Sequence, residues 1–402
     1  MFELNKFISE NVTKRHCSMF LEDICKNKDE LTKGIEGKSI LVIGGAGSIG
    51  SSFIKAVLPF KPRTLIVVDV NENGLAELTR DLRSAKGMYI PDDYITYPMD
   101  FASSVFEKMF KNRKGFDIVA NFSAHKHVRS EKDVYSVEAL LRNNVLNAKK
   151  LLDLLCEYPP EKYFCVSTDK AANPVNIMGA SKRIMEDVIF TYSDKFPVKT
   201  ARFANVAFSN GSLPDGFLSR LQKFQPLSAP SDVKRYFVSP EESGQICMLA
   251  CMLGKNREIF FPKLRETQMM TFDEIAVKLL KEHGYEVLKC STDEEAIEIS
   301  ETLRKDSKFY PVHFSESDTS GEKAYEEFFT EEECIDMERM KSLGVVTAKE
   351  IPSREKVAEL FVSLEDILEQ EDVTKADIVK IIKEYLPNFG HIETGKSLDI
   401  KM

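Results

Sequence analysis

The sequence predicts an α/β fold: a Rossmann-type doubly wound parallel sheet with a smaller α/β substrate-binding unit and helical terminal extensions. Three observations predict it. Apolar runs rich in β-formers alternate with amphipathic helical stretches between residues 38 and 206. The first run leads directly into a glycine-rich turn and then a helix, the context in which such a turn binds a dinucleotide phosphate. The 402-residue chain also has room for one large α/β unit and a second, smaller one.

Composition narrows the function classes. Hydrophobic residues at 43% and charged residues at 30% place the chain among ordinary globular proteins. A net charge of -9 without a basic block argues against nucleic acid as a partner. No run approaches the roughly 18 apolar residues of a membrane span, and the first residues lack a signal peptide's apolar core. The eight cysteines form no CxxC pair, and Cys156 and Cys165 fall in segments expected to be buried. Reduced thiols in a cytoplasmic protein are therefore expected. Cys247 and Cys251 have helical spacing without nearby ligands, so they read as a packed face, and no metal site is expected.

In chain order, residues 1–36 read as a helical extension lying on the main unit or on a partner subunit, with Phe7, Ile8, Phe20, Leu21 and Ile24 as packing residues. Residues 37–206 read as the NAD-binding unit. Strand 38–43 precedes Gly44-Gly45-Ala46-Gly47-Ser48-Ile49-Gly50, whose glycines allow a tight turn and close backbone approach to a pyrophosphate at the helix N-terminus. The second strand, 64–68, ends at Asp69. That residue lies 19 positions after Gly50 (69 − 50), near the spacing of about 20 for the carboxylate on the adenosine ribose. A helix cap is the plainer reading of Asp69, but the position favours ribose, and with it NAD over NADP. Strand 94–99 ends at Asp100, a candidate adenine contact, and strand 117–124 ends in Ala124-His125-Lys126-His127, a loop for nicotinamide or substrate. One long helix is expected over 137–158, with Asn144 bonding to the neighbouring strand.

Strand 162–166 then carries Ser167-Thr168-Asp169-Lys170 at its carboxyl end, where open α/β sheets build their sites. A helix begins near Met178, which shares a face with Lys182 four residues on. The sixth strand is expected over 198–206. Residues 207–334 read as mainly the substrate-binding unit, some of its segments returning to the sheet. It has a loop at 209–214, a helix at 217–224, a basic-aromatic cluster at 234–237, a strand at 259–262 ending at Lys263, an acidic helical stretch at 290–308 and a polar turn at 318–323. Arg235 and Lys263 are candidate phosphate contacts, although either alone is more often a solvated charge. Residues 335–402 read as helical, for example 375–385.

These residues resemble the extended short-chain dehydrogenase/reductases, and more narrowly the nucleotide-sugar 4,6-dehydratases of bacterial polysaccharide biosynthesis that act on UDP-N-acetylglucosamine. The matching pieces are GGAGSIG (44–50), NFSAHKHVRSEKD (121–133), NN (143–144), STDKAANPVNIMGASKR (167–183), ARFANVAFSNGS (201–212), VKRYFVSPEESG (233–244), IFFPKL (259–264) and SGEKAYEEFF (320–329). The resemblance implies NAD as cofactor, held by Gly44, Gly47, Ser48, Ile49, Gly50, Asp69, Asp100, Ala124 and Lys182. It implies a nucleotide-sugar substrate contacted by Lys126, His127, Met178, Asn205, Ser212, Arg235 and Lys263. A homodimer or higher homo-oligomer pairing helices 137–158 and 178–195 is also implied. Two departures stand out: Met178 where most of the superfamily has a tyrosine, and Thr319-Ser320 where relatives often have Arg-Pro.

The implied reaction moves hydride from sugar C4 to NAD, eliminates water across C5 and C6, and returns hydride to C6. It needs a base at C5, an acid at O6 and a group for the O4 proton. Lys170 is the expected base, if its pKa is depressed, and Asp169 the expected acid. Thr168 is expected to bond O4 and Lys182 to hold the nicotinamide ribose. A 4-epimerase or dehydrogenase of the same fold, and a non-catalytic dinucleotide scaffold, stay open as alternatives.

Overall fold

The computed structural model describes residues 2–391 and 393, apart from 318–320, 322, 324 and 348–349. The expected polar turn at 318–323 therefore lies largely outside the described residues, as does the Thr319-Ser320 departure. No helix among the described residues is long and apolar enough to cross a membrane.

A large sheet organises the chain. Its strands are β1 (Ser39–Ile43), β2 (Thr64–Asp69), β3 (Asp93–Pro98), β4 (Ile118–Asn121), β5 (Lys162–Val166), β6 (Val198–Ala201), β7 (Glu258–Pro262), β8 (Cys334–Asp336) and β9 (Leu343–Thr347). They lie in the order β8-β9-β7-β6-β5-β4-β1-β2-β3. From β3 to β7 every pair is parallel, while β9 runs antiparallel to β7 and to β8. The central strands are buried on both faces, which is why they read as continuous apolar runs such as Ile40-Leu41-Val42-Ile43. The order reverses between β1 and β4, creating the crevice in which such sheets bind ligands.

A second core gathers Phe208, Phe217, Leu227, Ile275, Leu279 and Tyr310. It lies beneath a three-stranded parallel sheet of Leu227–Pro230, Phe309–Ser315 and Glu286–Cys290. The N-terminal extension lies on its own chain and straps both cores. Phe7, Ile8 and Val12 enter the second core, whereas Phe20, Leu31 and Ile35 enter the main one. Between them Arg15 bonds both carboxylate oxygens of Glu242, at 2.7 and 2.6 Å.

Several expectations need correction. The strand expected over 198–206 stops at Ala201, because Arg202 turns into the interior. Its guanidinium meets Glu186 at 2.8 and 2.7 Å, Glu333 at 2.7 and 2.8 Å, and the Phe328 carbonyl at 3.1 Å. Asn205–Val206 then pairs separately with Phe237–Val238. The acidic stretch is helical only at Asp293–Ser300 and is preceded by a strand. The long helix contains a π-helical turn, Arg142–Leu146. This turn holds Asn144, which pairs with both backbone groups of His125 just beyond β4. Cys156 is exposed, while Cys165, Cys247 and Cys251 are buried.

The C-terminal region adds β8 and β9 to two helices, Arg354–Leu368 and Lys375–Tyr385. Phe361, Leu364, Ile378, Ile382 and Tyr385 from these helices join the main core. They cover the elements expected to pair with a second subunit. In the helix Ile177–Thr191, every residue but Arg183 and Thr191 is buried within one chain. The Tyr385 hydroxyl reaches Asp187 at 3.4 Å, and the Lys149 ammonium sits 5.6 Å above the Phe361 ring. What the neighbouring helical run leaves outward includes Tyr135, Arg142, Lys150 and Asp153. The helix Ile177–Thr191 is thus covered by segments of its own chain.

Removing one partner of a buried ion pair leaves the other charge uncompensated. Glu333→Ala is expected to cost about 3–5 kcal/mol, measured as a lower urea midpoint with an unchanged slope. A shift within error would show that Glu186 alone satisfies Arg202.

Candidate active site

Two clefts meet at Lys126. The first, about 370 Å³, opens at the carboxyl ends of β1, β2 and β4. Its wall includes Gly44, Gly47, Ser48, Ile49, Gly50, Asp69, Asp100 and Ala124, every expected cofactor residue but Lys182. Local geometry explains the glycines. Gly44 has φ +73, and a Cβ there would stand 2.6 Å from the Ser123 nitrogen. A Cβ on Gly50 would stand 2.3 Å from the Gly44 carbonyl oxygen. At Gly47 a Cβ would meet nothing closer than 3.4 Å, so internal packing does not require glycine there. Glycine there leaves room for close approach of a ligand to the backbone. Gly47 caps the helix Ser48–Val57 without any side-chain acceptor, leaving its first N–H groups open to an anion. Asp69 braces the loop from the side, accepting from the Ala46 and Asn71 backbone N–H groups at 3.0 and 2.9 Å. The cleft fits a dinucleotide on these grounds.

The second cleft, about 600 Å³, lies between the large sheet and the smaller unit. Lys126, His127, Lys170, Asn205, Ser212 and Arg235 line it. Asn205 Nδ2 is buried and finds no hydrogen-bond partner among the described residues, so a donor is left for a ligand. Ser212 caps the helix Leu213–Gln222. Lys126 lines both clefts, with its ammonium 2.8 Å from the Asn210 carbonyl and its pKa pushed down by burial.

At the end of β5 the chain turns sharply. The Ser167 hydroxyl donates to Glu186 at 2.7 Å, tying the turn to the Arg202 network. Asp169 is buried, and its Oδ1 accepts from the Thr168 hydroxyl at 2.8 Å, the Lys170 N–H at 2.9 Å and the Lys170 ammonium at 3.3 Å. Only Lys170 of this trio reaches the cleft wall. Asn176 caps the following helix, accepting from Gly179 N–H at 2.7 Å.

Four expectations are corrected here. Lys170 was expected to have a depressed pKa. Burial does lower it, but the adjacent Asp169 and Glu326 carboxylates outweigh burial and hold the ammonium above its ordinary value. Met178 packs into the main core with its backbone N–H on Glu131 at 2.8 Å, and it lines neither cleft. Lys182 also stays behind the walls, donating to the Val166 carbonyl at 3.1 Å, and burial pushes its pKa down. Lys263 lines neither cleft; its ammonium holds the Met337 and Met340 carbonyls beside the β7–β9 pair.

Sequence reasoning missed Glu326. It is buried, lines the second cleft, and sits 3.6 Å from the Lys170 ammonium and 4.0 Å from the Arg235 guanidinium. The signal was weak: one carboxylate of the Glu326-Glu327 pair faces inward between aromatic neighbours, while Glu327 bonds Asn173 at the surface. Asn143 was likewise not assigned and lines the first cleft, as does His125 of the loop expected to meet nicotinamide or substrate.

Comparison with known proteins agrees with this geometry. The family described as "Polysaccharide biosynthesis protein" matches residues 40–348. "Uncharacterized membrane protein MJ1061" of Methanocaldococcus jannaschii is 30% identical over 79% of this chain and 88% of its own length. A UDP-N-acetylglucosamine 4,6-dehydratase (inverting) of Campylobacter jejuni is 26% identical over 57% of this chain and 67% of its own. A UDP-glucose 4-epimerase of Rickettsia bellii is 27% identical over 56% and 66%. The match to the probable polysaccharide biosynthesis protein EpsC of Bacillus subtilis spans 48% of that protein. Among solved structures, Pen from Bacillus thuringiensis has a TM-score of 0.63 at 18% identity, covering 84% of this chain and 99% of its own. DesIV, the dTDP-glucose 4,6-dehydratase of Streptomyces venezuelae solved with NAD and TYD bound, has a TM-score of 0.55 at 20% identity over 72% and 88%. At those identities the likeness is one of fold.

The glycine geometry separates packing from binding. Gly50→Ala forces a backbone shift and is expected to destabilise by about 1–3 kcal/mol. Gly47→Ala is expected to cost no more than about 1 kcal/mol, the loss of a favourable cap residue. Thermal melts of the two variants check this, and equal losses would mean that Gly47 too serves packing.

Proposed function

The chain belongs to the polysaccharide biosynthesis protein family, and from that premise we propose that it is an NAD-dependent nucleotide-sugar 4,6-dehydratase. Its substrate is UDP-N-acetylglucosamine or a related nucleotide-activated hexosamine, and its product the 4-keto-6-deoxy sugar for surface glycan synthesis. One observation carries the reading: a partly buried Asp169–Lys170 ion pair puts Lys170 at the wall of the second cleft, while the neighbouring helix offers Met178 and no phenol. Redox chemistry at C4 alone has no use for a base placed at C5, which counts against the epimerase.

Bound NAD would supply the hydride acceptor and donor, held by the Gly44–Gly50 loop, Asp69, Asp100 and Ala124. The remaining work falls to the chain's own groups. Lys126 stands where the clefts join and orients the sugar between them. Arg235 and the open amide of Asn205 take polar groups of the nucleotide-sugar. Thr168 orders Asp169, and Asp169 fixes Lys170 through two contacts. Lys170 removes the C5 proton after releasing its own, since the free chain holds it as an ammonium.

Incubation with NAD and UDP-N-acetylglucosamine is expected to give a product lighter by one water. An isomer of unchanged mass would instead indicate an epimerase, and absence of turnover across UDP-, GDP- and dTDP-sugars a binding scaffold. Lys170→Met is expected to lower product formation about a hundred- to ten-thousand-fold while leaving NAD affinity nearly intact. Near wild-type turnover would place the base elsewhere. Asp69→Ala is expected to weaken NAD and relax rejection of NADP, because a carboxylate repels the 2′-phosphate. Equal binding of the two cofactors by the wild type would remove Asp69 from this role.

A further inference from the structure

We propose that the Asn210 peptide couples the two clefts: held by Ser48 on one side and Lys126 on the other, it makes a dinucleotide in the first cleft and a nucleotide in the second tighten each other's binding. The inference rests on the nucleotide-sugar reading for the second ligand. It goes beyond that reading by giving Ser48 and Lys126 a positioning role that neither cleft shows alone.

Two hydrogen bonds define the link. The Asn210 N–H donates to the Ser48 hydroxyl at 2.9 Å, and the Lys126 ammonium donates to the Asn210 carbonyl at 2.8 Å. Ser48 stands in the wall of the first cleft, at the start of the helix whose first N–H groups stay open to an anion. The neighbours of Asn210, which are Ser209, Gly211 and Ser212, stand in the wall of the second. Lys126 stands in both. One peptide group thus meets the cofactor loop through its donor and the shared lysine through its acceptor. Ser48 and Asn210 lie 162 positions apart, so only the fold brings them together.

The loop is shaped for this reach. Phe208 has φ +54, a left-handed conformation uncommon outside glycine. Its ring is buried in the second core with its centroid 5.8 Å from that of Phe7, which holds the backbone in place. Gly211 has φ +73, and a Cβ there would stand 3.3 Å from His127 Nε2. Its N–H donates to Asp215 at 3.0 Å. Between these fixed points the chain reverses, with the Ser212 N–H returning to the Ser209 carbonyl at 2.9 Å. Asn210 is left exposed at the tip.

That exposure gives the coupling its sign. A hydrogen bond open to water contributes little, because solvent competes for both partners. A ligand in either cleft shields its side of the link from water and strengthens the bond there. The loop is then already ordered when the second ligand arrives, so its conformational entropy is lost only once. Linkage makes the effect reciprocal: whatever factor the nucleotide adds to dinucleotide affinity, the dinucleotide adds to nucleotide affinity.

Two measurements test this, and neither needs turnover. The first is backbone hydrogen exchange with NAD saturating, read by mass spectrometry on the peptide that contains Asn210. Ser48→Ala is expected to lose protection there, and Ser48→Thr, which keeps a hydroxyl, to retain it. Equal protection in wild type and Ser48→Ala overturns the link. The second times the replacement of bound NAD by labelled NAD, with and without UDP, or whichever of GDP and dTDP raises the melting temperature in its place. A free nucleotide carries no sugar to lie against the nicotinamide, so it acts only through the protein. Tighter binding shows mainly as slower release. In the wild type the nucleotide is expected to slow replacement about five- to a hundredfold. Ser48→Ala and Lys126→Met are each expected to bring that ratio close to one, whatever their own NAD affinity, and Ser48→Thr to keep it. A wild type that binds the nucleotide without slower NAD release, or the same ratio in Ser48→Ala, overturns the coupling alone. If none of the three nucleotides shifts the melting temperature, the nucleotide-sugar reading fails and the coupling with it.

Discussion

The Arg202 guanidinium, fully buried between Glu186 and Glu333, is the interaction on which the site depends. A charge in the protein interior is tolerated only when it is paired and hydrogen-bonded. Here two carboxylates and the Phe328 carbonyl meet that condition, drawn from two other parts of the chain. Glu186 comes from the helix Ile177–Thr191 and also accepts the Ser167 hydroxyl, so the start of the turn after β5 is tied to the same network. Glu333 and Phe328 come from the segment that presents Glu326. The end of β6, the turn after β5 and the Glu326 segment cannot move apart without stranding a buried charge.

The C-terminal helices extend the same logic to the outside of the helix Ile177–Thr191. An amphipathic helix at the edge of a doubly wound sheet has to bury its second apolar face somewhere. In this chain Phe361, Leu364, Ile378 and Ile382 supply that cover from within. The helix is therefore held on both sides by segments of one polypeptide, and its N-terminus, with Met178 on Glu131, is fixed in place.

Much of the fold was legible in the sequence because parallel strands buried on both faces leave continuous apolar runs. The runs that became β1, β2 and β5 show this plainly, and so does the glycine loop, whose spacing is dictated by close backbone approaches at Gly44 and Gly50. The helix Lys375–Tyr385 was legible from its periodicity. The end of β6 was not, since an arginine inside an apolar run looks like an exposed strand position until two distant glutamates are brought to it. Strands β8 and β9 were missed for a related reason: they sit at a sheet edge, where an antiparallel hairpin needs no long apolar run. Lys263 looked like a phosphate ligand because its chemistry is right, yet its placement is set by two backbone carbonyls that no local pattern announces. The proton state of Lys170 was misjudged because Glu326, which joins the adjacent Asp169 in holding the ammonium, lies 156 positions away (326 − 170) in the sequence.

Met178 has no proton to give or take. The ionisable groups gathered nearby are Asp169 and Lys170 at the end of β5, with Glu326 and Arg235 beside them. Asp169 and Glu326 set against Lys170 and Arg235 make two negative and two positive groups. This balance lets four ionisable side chains share a nearly closed region without a net charge to desolvate. Balance of this kind also makes each group's proton affinity a property of the set.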